Sequence, residues 1–72
     1  MKYICQTINK TDAYMIWEIN DKDDYEVSLT DGDRYFVESV STYPDEYIES
    51  EIVFTSNDLQ ECIEYAEKKA RE

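Results

Sequence analysis

Apolar positions recur at two different periods along this chain, and the change of period separates strands from a helix. From Ser56 to Glu72, Leu59, Cys62, Ile63, Ala66 and Ala70 return at steps of three and four. That spacing predicts one amphipathic helix with a narrow apolar stripe. Asn57 with Gln60 three residues on fits a capping box, and Ser56 is an alternative cap. Asp58 and Glu61 suit the positive N-terminal end, Lys68, Lys69 and Arg71 the negative C-terminal end. Glu64 and Lys68 are spaced to pair across one turn.

Before Ser56 the period is two. Lys2 to Ile8 and Ala13 to Ile19 read as the first two strands, joined by Asn9-Lys10-Thr11-Asp12. A four-residue loop sets Ile8 opposite Ala13, Gln6 opposite Met15 and Ile4 opposite Trp17. The Ile4, Ile8, Met15 and Trp17 face is expected to form the core under the helix. The other face carries Tyr3, Cys5, Thr7, Tyr14, Ile16 and Glu18, more aromatic than a solvated face requires. Tyr25 to Leu29 alternates strictly and predicts a third strand. Asp31-Gly32 is a strong hairpin signal, because both residues tolerate positive φ. A fourth strand follows from about Arg34 to Val40, with Val27 opposite Phe36 if the loop has two residues and a one-residue slip if it has three. The loop from Ser41 to Glu46 holds the chain's only proline, Pro44. Tyr47 to Phe54 makes a fifth strand, with Ile48, Ile52 and Phe54 on one side and Tyr47, Glu49, Glu51 and Val53 on the other. The expected fold is α+β: an antiparallel meander of four to five strands with one C-terminal helix packed on one face.

At 72 residues the chain is expected to be a single domain, close to the size at which one core barely offsets the entropy of ordering. Self-association would help, so a homodimer is among the expected states. An apolar fraction of 42% with ten aromatics, seven of them Tyr, argues against intrinsic disorder. No leader or membrane-spanning run is evident, and the expected compartment is the cytoplasm. Cys5 and Cys62 lack metal-ligand spacing and are expected to be buried thiols.

Charge changes the picture most. Eighteen acids against seven bases give a net charge of −11. Five bases lie near the ends, at Lys2, Lys10, Lys68, Lys69 and Arg71. Between Thr11 and Glu67, seventeen acids face only Lys22 and Arg34, a net of −15. Such a balance disfavours direct binding to nucleic acid or anionic lipid and suits a basic protein partner.

Few chemistries are open to the chain. It has no His, hence no imidazole base and nothing to activate either Cys. A calcium loop needs acids at alternate positions and Gly at the sixth. Counting from Asp21, positions five and six are Tyr25 and Glu26; counting from Asp31, position six is Phe36. Neither fits, so no metal, cofactor or enzymatic role is expected. No glycine-rich phosphate loop or basic aromatic patch is present.

The short Met1-Lys2-Tyr3 strand, the meander and the late helix Asp58-Leu59-Gln60-Glu61-Cys62-Ile63-Glu64-Tyr65-Ala66 resemble small antitoxins of the HicB type, without the glycine-rich turn usual in that group. In composition the chain also looks like phage-encoded anti-restriction and anti-CRISPR inhibitors: small, acidic and free of His. Glu49 and Glu51 at i and i+2 on a strand stand about 6.7 Å apart. Rows of such carboxylates present spaced anions as a nucleic-acid backbone does. The leading expectation is therefore a non-enzymatic inhibitor that occupies a basic nucleic-acid-binding surface. Its expected binding residues are Tyr43, Asp45, Glu46, Tyr47, Glu49 and Glu51, with a second patch at Asp21, Asp23, Asp24, Asp31 and Asp33. The alternative is an antitoxin or regulatory subunit that meets a basic protein through the Tyr-rich sheet face.

Overall fold

The computed structural model describes residues 1–9, 12–19, 33–41 and 49–72. Among the described residues, four strands, β1 (Lys2–Asn9), β2 (Asp12–Glu18), β3 (Tyr35–Ser41) and β4 (Glu49–Ser56), precede one helix, α1 (Leu59–Ala70). The strands form one antiparallel sheet in the order β1-β2-β3-β4, and α1 packs across it, an α+β fold. The predicted strand over 25–29 lies outside the described residues. Phe36, its expected partner, is flanked by Trp17 on one side and Thr55 on the other, so β3 has no place for a further strand there.

Two β-bulges decide which residues reach the helix. Ile8 lies opposite Ala13 and Gln6 opposite Met15, as the loop length predicts, but Cys5 then faces Ile16 and Tyr3 faces Trp17, leaving Ile4 extra. On β4, Phe54 faces Val37 and Ile52 faces Glu38, leaving Val53 extra. A bulge sets two residues against one and breaks the strict alternation. Ile4 and Cys5 both pack against the helix-side core, and so do Val53 and Phe54.

The core face is the reverse of the expected one. Ile16, Val37, Cys62 and Ala66 form its centre, and Tyr14, Tyr35, Leu59, Ile63 and Tyr65 pack around them. Of the four residues expected under the helix, Ile4 is there because of its bulge, whereas Ile8 is 65% exposed. Met15 and Trp17 lie on the face away from α1, by their register with Gln6, Glu38, Tyr3 and Phe36. Cys5, Tyr14 and Ile16 of the Tyr-rich face thus lie on the side that α1 covers, whereas the bulge puts Tyr3 on the other. The cause lies in the side chains. Small Cys62 and Ala66 on the helix pack against β-branched Ile16 and Val37 on the sheet, and all four are fully buried. An indole needs an acceptor for its N–H, and Trp17 Nε1 donates to Glu38 Oε1 at 3.1 Å on the far face. Tyr3 meets Trp17 edge-on at 5.6 Å between ring centroids, and Phe36 is buried on that same face.

The helix carries the predicted stripe, but its cap comes later than either candidate. Asp58 is the N-cap, with its carboxylate accepting from the Gln60 backbone N–H at 2.9 Å. Ser56, which ends β4, accepts from the Asp58 N–H at 2.9 Å and donates to Glu61 at 3.2 Å. Asn57 reaches across to accept from the Arg34 N–H at 2.9 Å. All three polar residues are used, each for a different donor. Glu64 and Lys68 do not pair; ion pairs among the described residues include Arg34–Glu18 at 2.6 Å and Lys69–Glu72 at 3.5 Å. No described helix is long and apolar enough to cross a membrane.

Candidate partner-binding surface

Along β3, residues at every second position change from apolar to small and polar: Val37, then Ser39, then Ser41. Val37 is buried beneath α1. Ser39 and Ser41 continue the same face past the helix-side core and lie opposite Glu51 and Glu49. The strand alternation predicted that these carboxylates point away from Phe54, but the Val53 bulge restores them to the side of the sheet that Phe54 occupies. Phe54 is held there by stacking on Tyr65, 4.6 Å between centroids and 10° between planes.

Ser39, Ser41, Glu49, Ser50 and Glu51 line an open groove of about 560 Å³. Glu49, Ser50 and Glu51 are exposed, and neither carboxylate is held by a hydrogen bond or ion pair among the described residues. Two exposed anions at strand spacing, with hydroxyls beside them, are placed to receive lysine or arginine side chains. The serines do not stand out as site residues in the sequence. Their period-two continuation from Val37 is the signal that marks them.

Of the residues nominated from sequence, Glu49, Glu51 and Asp33 fall within the described part of the chain. Tyr43, Asp45, Glu46, Tyr47, Asp21, Asp23, Asp24 and Asp31 lie outside it. Asp33 differs from the two glutamates. It accepts from Thr55 Oγ1 at 2.7 Å and from Asn57 Nδ2 at 3.3 Å, tying the start of β3 to the junction between β4 and α1. Glu18 is likewise engaged, accepting at one carboxylate oxygen from Arg34 Nε at 2.7 Å and Nη2 at 2.6 Å. These acids serve the fold.

Both cysteines are free thiols, Cys62 fully buried and Cys5 half-buried. Burial, reinforced by the Glu61, Asp33 and Asp58 carboxylates, pushes the Cys62 thiol up to about 11. At neutral pH it is protonated and a poor nucleophile. Among the described residues, no group of three or more His, Cys, Asp or Glu side chains is arranged to hold a metal ion.

No protein-family model matches the chain, and neither a curated protein nor a solved structure matches it.

Proposed function

We propose that the protein is a non-enzymatic inhibitor that imitates nucleic-acid charge and occupies a basic nucleic-acid-binding surface on another protein, in the manner of anti-restriction and anti-CRISPR inhibitors. The observation that carries this reading is the pair Glu49 and Glu51. Both are exposed and free of intramolecular partners among the described residues, on an outer strand of a chain whose net charge is −11. Acids that serve the fold are tied down, as Asp33 and Glu18 are; these two are not. Lysines and arginines that neutralise phosphates respond to charge and spacing more than to base identity. A strand with carboxylates on alternate residues offers such spacing on a rigid backbone. The alternative, docking through the Tyr-rich sheet face, is disfavoured because Tyr14, Ile16 and Cys5 pack towards α1.

The test is competition. A basic host protein retained by the immobilised chain should be released by added DNA or RNA. The isolated chain itself should give no gel shift with either nucleic acid at micromolar concentration and moderate salt. A direct nucleic-acid complex, or retention of the partner indifferent to nucleic acid, would overturn the reading.

A further inference from the structure

The two outer strands of the described sheet are β1 and β4. An outer strand presents unpaired backbone N–H and C=O groups, and charge is a common way to keep other chains off it. β4 has Glu49 and Glu51. β1 has no acid at all, although the chain has eighteen; Met1 to Thr11 is its longest acid-free stretch. Among the described residues β1 pairs on one side only, with β2. It also shows two of the most exposed large apolar side chains, Tyr3 at 45% and Ile8 at 65%. Both lie on the face away from α1, by their register with Trp17 and Ala13.

We propose that β1 pairs antiparallel with β1 of a second copy about a two-fold axis at Gln6, joining two sheets into one of eight strands. The register follows from the requirement that residues directly opposite share a face. With Gln6 opposite its own copy, Cys5 falls opposite Thr7 on the helix side. Past the Ile4 bulge, Tyr3 falls opposite Ile8, and Lys2 opposite Asn9. The exposed apolar pair is then covered twice, once on each side of the axis. Lys2 arrives two strand spacings, roughly 10 Å, from Asp12, the partner of Asn9 in the β1–β2 ladder, so opposite charges lie on the same face near both ends. A second copy is the fitting occupant because strand, side chains and end charges are self-complementary in this register. Two chains of −11 repel elsewhere, and β1 is where they approach without bringing acids together. Pairing through β4 would instead gather the Glu49 and Glu51 carboxylates of both copies. This interface uses the opposite edge from the groove and stands or falls independently of the proposed function.

Sedimentation equilibrium should give twice the chain mass of 8.6 kDa, with the dimer fraction rising as NaCl screens the like charge. Ile8→Lys should return the monomer mass with an unchanged circular dichroism spectrum. Gln6→Cys in a Cys5→Ser background should form a disulfide-linked dimer on mild oxidation, because directly opposed Cα atoms lie within disulfide reach. Ile8→Cys in the same background should not, since two copies of residue 8 stand about four strand positions apart, roughly 13 Å. Cys62, fully buried, does not interfere. A wild-type chain that stays monomeric at several hundred micromolar would overturn the proposal. So would a dimer in which the Ile8→Cys variant cross-links as readily as the Gln6→Cys variant, or in which the Gln6→Cys variant fails to cross-link.

Discussion

β1 and β4 have the same length, hold the same outer position and carry one bulge each, yet their surfaces are opposites. Each bulge delivers an adjacent pair of apolar residues to the helix side, Ile4 with Cys5 and Val53 with Phe54. Beyond those pairs, β1 continues with the uncharged Gln6, Thr7 and Ile8, while β4 begins with Glu49, Ser50 and Glu51. The difference shows that the acidity of this chain is not spread evenly over the two outer strands of the described sheet. Among the described residues, acid is absent from one outer strand and has no ion-pair partner on the other. In the two proposals, the acid-free edge meets a second copy of the chain and the acidic edge meets a cationic surface.

Where the strands are alike, the largest effects on stability are expected. Phe54→Ala removes the stacking on Tyr65 and should cost about 3 kcal/mol or more, and Ile4→Ala about 2 kcal/mol. Ile8→Ala, on the same strand as Ile4 but exposed, should change monomer stability by less than about 0.5 kcal/mol. Urea denaturation at concentrations low enough to keep the chain monomeric measures all three. An Ile8 variant as damaging as the Ile4 variant would break the face assignment and with it the role given to the bulges.

Next in size is the contrast between tied and free acids. Asp33→Ala strands the donors of Thr55 and Asn57 and should cost about 1–2 kcal/mol. Glu49→Ala with Glu51→Ala should be neutral or slightly stabilising, since it relieves like charge and breaks no contact. The same denaturation experiment separates them, and equal losses would mean that Glu49 and Glu51 have a structural role.

The helix was legible in the sequence because a period near 3.6 survives any small shift of its ends. Its cap was not, because Ser56, Asn57 and Asp58 are all cap formers. Only tertiary partners, the Arg34 N–H above all, decide which residue does what. The strands were legible as strands but not as faces. β2 is apolar from Ala13 to Trp17 apart from its Tyr hydroxyl, and its terminal acids Asp12 and Glu18 share a face with Tyr14 and Ile16, so charge marks as outer the face that the helix covers. A bulge leaves no local signature in Tyr3-Ile4-Cys5 or Ile52-Val53-Phe54. The exposure of Glu49 and Glu51 could be read from their type; the side of the sheet they occupy could not, because it depends on the Val53 bulge. Asp33 looked like any hairpin aspartate, and its reach to Thr55 and Asn57 is a contact between residues distant in sequence.

A smaller effect is expected from ionic strength. Screening the excess acids should raise the melting temperature by a few degrees between dilute buffer and a few hundred millimolar NaCl, equivalent to well under about 1 kcal/mol. Scanning calorimetry at fixed low chain concentration checks it. The Glu49→Lys/Glu51→Lys variant, less negative by two reversed charges, should show a weaker salt response. An unchanged or lower wild-type melting temperature would mean that charge repulsion is not stressing the fold.

The most direct measurement is titration calorimetry of the competition-validated partner with wild type and with the Glu49→Lys/Glu51→Lys variant, at two NaCl concentrations, circular dichroism having confirmed that both are folded. Both carboxylates are exposed and make no hydrogen bond or ion pair among the described residues, so the variant should fold. Loss of two charge-assisted contacts and their replacement by repulsion should weaken binding at least about 100-fold at low salt, about 2.7 kcal/mol or more. Wild-type affinity should itself fall as salt rises, and the variant's residual affinity should depend on salt far less. Wild-type affinity retained by the folded variant would contradict the assignment of the β4 edge as the surface that imitates nucleic acid.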